Sequence, residues 1–186
     1  RFLLDWPNLT AISGSLILDD EETSVWVDRG SFPATQVYDT SVEVWLDQNR
    51  LPFLAASAAL KGPFEGLLAD LRASPLLRYI PADTLGWAIQ GEQQADLDIQ
   101  TPLTGVGVVP QVSFQAQFSG VSLNPLEGIH IHDLNGLLSY STAEGFFADE
   151  LVGVLWEQPL RARITSDVSN PLLTRIDVAG TLPGRE

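Results

Sequence analysis

The 186-residue chain has no cysteine and no methionine, only two histidines, and ten basic residues against twenty-four acidic ones. Without cysteine there can be no disulfide, no thiolate nucleophile and no thiolate zinc site, and the redox character of the compartment stays open. A net charge of −14 repels nucleic acid and anionic headgroups over most of the surface, which argues against a nucleic-acid partner. No run is long and apolar enough for a signal peptide or a membrane span. There is no Gly-x-Ser-x-Gly elbow, no phosphate-cradling glycine loop and no His-Glu-x-x-His helix, so nothing points to an enzyme or a cofactor. The chain opens on arginine, and with no methionine anywhere it reads as a piece of a longer polypeptide whose anchoring or export it cannot report.

What is present is alternation. Hydrophobic residues make up 45% of the chain, enough for a real core. They fall mostly at period two, the signature of strands with one buried face. In Gln111–Ser119 the apolar residues Val112, Phe114, Ala116 and Phe118 share one face. Ala95, Leu97 and Ile99 alternate with Asp96 and Asp98; Leu160, Ala162 and Ile164 with Arg161 and Arg163; Leu172, Thr174, Ile176 and Val178 with Arg175 and Asp177. Turn signals punctuate these runs at Asp19–Glu21, Asp28–Gly30, Asp47–Asn49, Thr142–Gly145 and Ser169–Pro171. Some ten antiparallel strands in a meander are expected. One stretch departs from period two: Phe64, Leu67, Leu68 and Leu71 follow helical spacing. Gly62 is expected to cap this helix, Pro63 to occupy its first helical position, and Ser74-Pro75 to end it. A short helical or irregular stretch around Pro81–Gly86 then leads to the next strands.

The strands repeat. A single shift that lays Gly14 on Gly136 also lays Leu4, Leu16, Glu22, Gln36, Leu51, Leu60 and Gly62 on Leu126, Leu138, Glu144, Gln158, Leu173, Leu182 and Gly184. Similar pairs accompany them, among them Ile12 with Leu134 and Val25 with Phe147. The expected organisation is a β-repeat unit over 1–62, a helix and connector over 63–86, and a β-rich second unit over 87–186 that continues the same sheet rather than forming an independent domain. The fold class is mostly β with one α-helix: a curved antiparallel meander, groove-like or taco-like, built from repeated units. One helix about 10 Å wide cannot cover ten apolar strand faces, so the sheet must pack on itself, curl, or offer its face to a ligand.

Few residues invite chemistry. His130 and His132 form a His-x-His pair on a strand, but no third ligand is evident and surface histidines are the favoured reading. Asp133 is expected on the opposite face. The Asp96/Asp98 pair is read as a wet strand face, and the acidic run Asp19–Glu22 as a solvated hairpin turn rather than a calcium loop. The five tryptophans are read as core or rim residues.

Several phrases occur in a characteristic order. They are Ala95–Leu103, ending in Thr-Pro-Leu; Ile131–Tyr140; Gly145–Gly153; Gln158-Pro159-Leu160; and Gly62-Pro63 through Ala73-Ser74-Pro75-Leu76. In this order and spacing the chain resembles the large bacterial YhdP proteins of the AsmA-like superfamily, to which TamB also belongs. The resemblance implies a periplasmic β-rich region of a protein anchored in the inner membrane of a Gram-negative bacterium, similar to bridge-like lipid transfer proteins that serve the outer membrane. It offers no catalytic motif.

Together these readings predict a non-enzymatic segment that shields and conducts phospholipid acyl chains along a hydrophobic groove, lined by Leu97, Ile99, Val112, Phe114, Phe118, Leu138 and Phe147. Such a face must be free of charge, because an unpaired charge beside hydrocarbon is costly while each buried methylene gains about 0.8 kcal/mol. The alternative is a structural or interaction module in which the same faces close into a β-sandwich core and merely space the envelope. The lipid identity, the direction of transport and the oligomeric state are left open by the sequence.

Overall fold

The computed structural model describes residues 7–19, 22–74, 77, 88–104, 109–167 and 169–181. Its elements are β1 (Thr10–Leu18), β2 (Glu22–Ser31), β3 (Gln36–Leu46), β4 (Pro52–Pro63), α1 (Phe64–Arg72), β5 (Ala88–Pro102), β6 (Gln111–Leu126), β7 (Ile129–Ser141), β8 (Gly145–Leu155), β9 (Gln158–Asp167) and β10 (Asn170–Gly180). The ten strands form one antiparallel sheet in chain order, from β1 to β10. The sheet is not closed: among the described residues β1 and β10 each have a single neighbour.

Residues directly opposite one another in an antiparallel pair share a face, so the register traces each face across the sheet. One row runs Leu16, Val25, Val42, Ala56, Ile99, Val112 over six strands. A second runs Ala58, Leu97, Phe114, Tyr140, Phe146. Ala148, Ile164 and Ile176 carry the same face to β10.

On a flat single layer these side chains would stand in water. Yet Ala116 is 0% exposed, and Ala148, Leu151 and Leu160, on strands away from α1, are buried as well. The sheet therefore curves towards its apolar face, and neighbouring side chains cover these positions. At the β10 side, β10 reaches β8 across β9. The curl has a local cause. Register shifts occur next to residues with positive φ: Ala11 (51°), Asp39 (42°), Gly91 (127°), Gly120 (62°) and Asp133 (52°). Each extra residue bends its strand and increases the local twist.

α1 lies on the apolar face across β4 and β5. Phe64 packs edge-on against Phe118 of β6 with ring centroids 5.3 Å apart, and Leu67 is buried with Val37, Leu60 and Ala95. Gly66 gives the helix its close approach, since a Cβ there would stand 2.9 Å from the Cβ of Ala34. The N-cap is Pro63 in extended geometry, one residue later than the glycine cap expected from sequence, because β4 runs unbroken through Gly62 into the helix. The helix ends at Arg72, where the Ser74 hydroxyl donates to the Leu71 carbonyl at 2.8 Å.

Asp28–Gly30 is not a turn. It lies inside β2, where the chain meets the irregularity at Asp39 of β3, and the real β2–β3 turn is closed by the Phe32 N–H donating to the Thr35 carbonyl at 2.8 Å. Asp47–Asn49 does form the β3–β4 turn, with the Asp47 carboxylate accepting the N–H groups of Asn49 and Leu51, both at 2.8 Å. Asp20-Glu21 and the Pro81–Gly86 stretch lie outside the described residues.

Candidate functional site

The site is the apolar face. Its registered rows hold no charged side chain, and their few polar members are hydroxyls and amides such as Thr23, Thr40, Gln93 and Thr101. The other face takes the charges. Asp96 lies opposite Gln115 and Ala59, Asp98 opposite Ser113 and Ser57, Arg161 opposite Val152, and Asp177 opposite Arg163. Three ion pairs stay on that wet face: Arg161–Glu150 at 2.9 Å, Arg163–Asp149 at 3.4 Å and Arg175–Asp177 at 2.8 Å. All six partners are exposed, so these pairs contribute little to stability; on the apolar side the charged side chain is Asp70 of α1, buried and accepting the Ala34 N–H at 3.3 Å.

Of the seven lining residues expected from sequence, six lie on this face. Leu97, Ile99, Phe114 and Leu138 are half-buried, whereas Val112 and Phe118 are buried. Phe118 is roofed by Phe64 and belongs to the seat of α1 rather than to an open groove. Phe147 lies on the opposite face, paired with Ser139 and Thr165 and half exposed. Its neighbour Phe146 takes the groove position, 4.8 Å centroid to centroid from Tyr140. The reason is an extra residue in β8: the register slips between Ala148 and Leu151, so Phe146, Ala148 and Leu151 share a face that strict alternation back from Leu151 would give to Phe147.

The face is covered unevenly. Towards the sheet margins Leu16 and Val178 are 58% and 59% exposed, while the centre is half-buried to buried under α1 and neighbouring side chains. Beneath α1 a void of about 30 Å³, the space of a single water, is lined by Phe32, Thr35, Leu60, Leu67, Asp70 and Leu97. The Thr35 hydroxyl, at this void, and both amide atoms of Gln93, on β5 opposite Gly62 and Phe118, are buried without a protein hydrogen-bond partner. A wider recess of about 240 Å³ opens between α1 and β5 beside Glu65, Leu68, Arg72 and Ile89.

The two histidines lie on β7 with neighbouring polar partners. His132 Nδ1 lies 3.0 Å from Asp133 Oδ2 and His130 contacts Asn124, with the two rings 6.0 Å apart. Asp133 reaches His132 because its φ of 52° breaks the regular strand that would have turned it away. Among the described residues no group of three or more His, Cys, Asp or Glu side chains could hold a metal ion. Of the described tryptophans, Trp26 and Trp45 stand on the charged side of the sheet, Trp45 against Phe53 at 5.1 Å, and Trp156 sits in the β8–β9 turn.

The signal the sequence reading missed is Gln93, the amide on the apolar face beneath the helix. Its place is readable from the period-two count back through Ala95 from Leu97. Comparison with known proteins finds no family model, no curated protein and no solved structure that matches this chain.

Proposed function

We propose that the uncharged face of the sheet is a path for hydrocarbon tails. In this reading the chain is a non-enzymatic segment of a bacterial envelope protein that shields phospholipid acyl chains on their way between inner and outer membrane. The observation that carries it is the segregation of charge: ten strands present their Asp, Glu, Lys and Arg side chains away from one continuous face of Leu, Ile, Val, Phe and Ala. A soluble sheet needs only enough apolar face to form a core. This one extends an apolar face to both margins, where Leu16, Leu18, Ile176 and Val178 meet solvent. The order of sequence phrases that resembles the YhdP proteins supports the same reading. The rival, an envelope spacer with a closed sandwich core, requires the apolar face to be covered throughout, whereas Leu16, Leu18, Ile176 and Val178 at its margins are exposed.

The test is the phospholipid that co-purifies with the protein, extracted and weighed by mass spectrometry for the wild type, Phe114→Asp and Gln115→Asp. Phe114 and Gln115 are adjacent on β6 and face opposite ways. The wild type and Gln115→Asp should retain lipid and Phe114→Asp should lose it. Equal lipid in all three, or none in any, would defeat the proposal.

A further inference from the structure

Among the described residues β1 and β10 each have one edge with no strand beside it, and the internal repeat points to what the edge of β1 is built to take. At the shift that lays Gly14 on Gly136, β1–β4 fall on β7–β10 element by element. The match extends to backbone detail. Ala11 and Asp133, which coincide under the same shift, have φ of 51° and 52°. Gly14 lies opposite Val27 and Gly136 opposite Leu151, and a Cβ at either glycine would strike the carbonyl oxygen of the residue just before that partner, Trp26 at 2.0 Å and Glu150 at 2.6 Å. β1 and β7 are thus the same strand in two settings. In one setting no described strand lies on its outer edge; in the other that edge is filled by β6, whose Phe114, Ala116 and Phe118 lie opposite Tyr140, Leu138 and Gly136.

We propose that the free edge of β1 binds an antiparallel strand with the pattern of β6, supplied by a further unit of this repeat, in the register that sets Phe114-, Ala116- and Phe118-like positions opposite Leu18, Leu16 and Gly14. The chemistry of β1 fits such an occupant. Natural edge strands are protected by charge, proline or a cover. β1 reads Thr-Ala-Ile-Ser-Gly-Ser-Leu-Ile-Leu, with neither charge nor proline, and every one of its residues is exposed. A β6-like strand would satisfy its open N–H and C=O groups, shield Leu16 and Leu18, and carry the uncharged face one strand further. The inference rests on the repeat and the pairing and is independent of what the face binds.

The chain has no cysteine, so engineered thiols react alone. Full-length Leu16→Cys is mixed in a glutathione buffer with a synthetic strand of residues 111–126 carrying Ala116→Cys; in the proposed register the two Cβ atoms stand about 4.5–5.5 Å apart, near disulfide reach. Leu18→Cys on the same edge and Ile176→Cys on β10 are the controls, and all three positions are exposed enough to leave the fold intact. The mixed disulfide should form about tenfold more at Leu16 than at either control, the ratio set by a modest register preference. Equal yields at the three positions would overturn the proposal. So would Leu16→Cys chains linking to one another in preference to the strand, which would make a second copy of the chain the occupant.

Discussion

Replacing Gln93 by leucine should stabilise this protein. Gln93 is 2% exposed on the apolar face of β5, opposite Gly62 and Phe118, and neither its amide nitrogen nor its amide oxygen has a protein partner. A buried polar group left unpaired costs about 1–3 kcal/mol. Leucine is apolar and of similar size, so Gln93→Leu removes two such groups and adds no bulk; overpacking and rotamer adjustment return part of the gain. A net stabilisation of about 2 kcal/mol corresponds to a melting temperature about 4–8 °C higher for a chain of this size. The assay is thermal unfolding followed by tryptophan fluorescence, with the adjacent, exposed Gln94→Leu as control, expected within about ±0.5 kcal/mol of wild type. A lower melting temperature for Gln93→Leu would refute the reasoning, because it would mean that the amide is hydrogen-bonded in solution and that the seam beneath α1 is polar by design.

Three further outcomes follow from particular contacts. Leu67→Ala, which empties the seat of α1 between Val37, Leu60 and Ala95, should cost about 2–5 kcal/mol in chemical denaturation, and a loss below 1 kcal/mol would show that the helix is not bound to the sheet as described. Trp156 and Glu157 turn the β8–β9 hairpin with φ of 50° and 62°, a conformation that disfavours ordinary side chains, so Glu157→Gly should raise stability by about 0.5–1 kcal/mol in the same assay. At the β9–β10 turn, the Ser169 hydroxyl and then its N–H, at 2.5 and 2.7 Å, hold the Asp167 carboxyl below its ordinary value of 3.8. Because the folded value is depressed, the turn's contribution is present above the ordinary value and lost as pH falls through the folded one; protection of the Ser169 amide from hydrogen exchange should therefore persist at pH 5 and fall away in acid below 3.8.

Period two carried most of the architecture. Val112–Phe118, Ala95–Ile99 and Leu160–Ile164 are each regular over their length, and every one of these stretches lies on the face that alternation assigns. What alternation cannot see is an inserted residue. The bulge between Ala148 and Leu151 reversed the assignment of Phe146 and Phe147, and it also breaks the repeat locally, since Val25 on the apolar face aligns with Phe147 on the polar one. The Asp28–Gly30 triplet has turn composition, but it falls in a strand held on both sides by β1 and β3, and pairing overrode local preference. The Trp156-Glu157 turn was invisible for the opposite reason: its residues carry no turn preference and are held at positive φ by the strands that flank them. Gln93 was readable as a member of the apolar face, but its isolation depends on where α1 lands, which no local pattern states.

In the proposed function one face of this sheet meets lipid and the other does not. The most direct measurement is photocrosslinking in intact cells, with a photoreactive amino acid placed at Phe114 and, separately, at Gln115, followed by detection of lipid attached to the protein. Lipid should be captured at Phe114 and not at Gln115. Capture at neither position, or equally at both, would contradict the proposal.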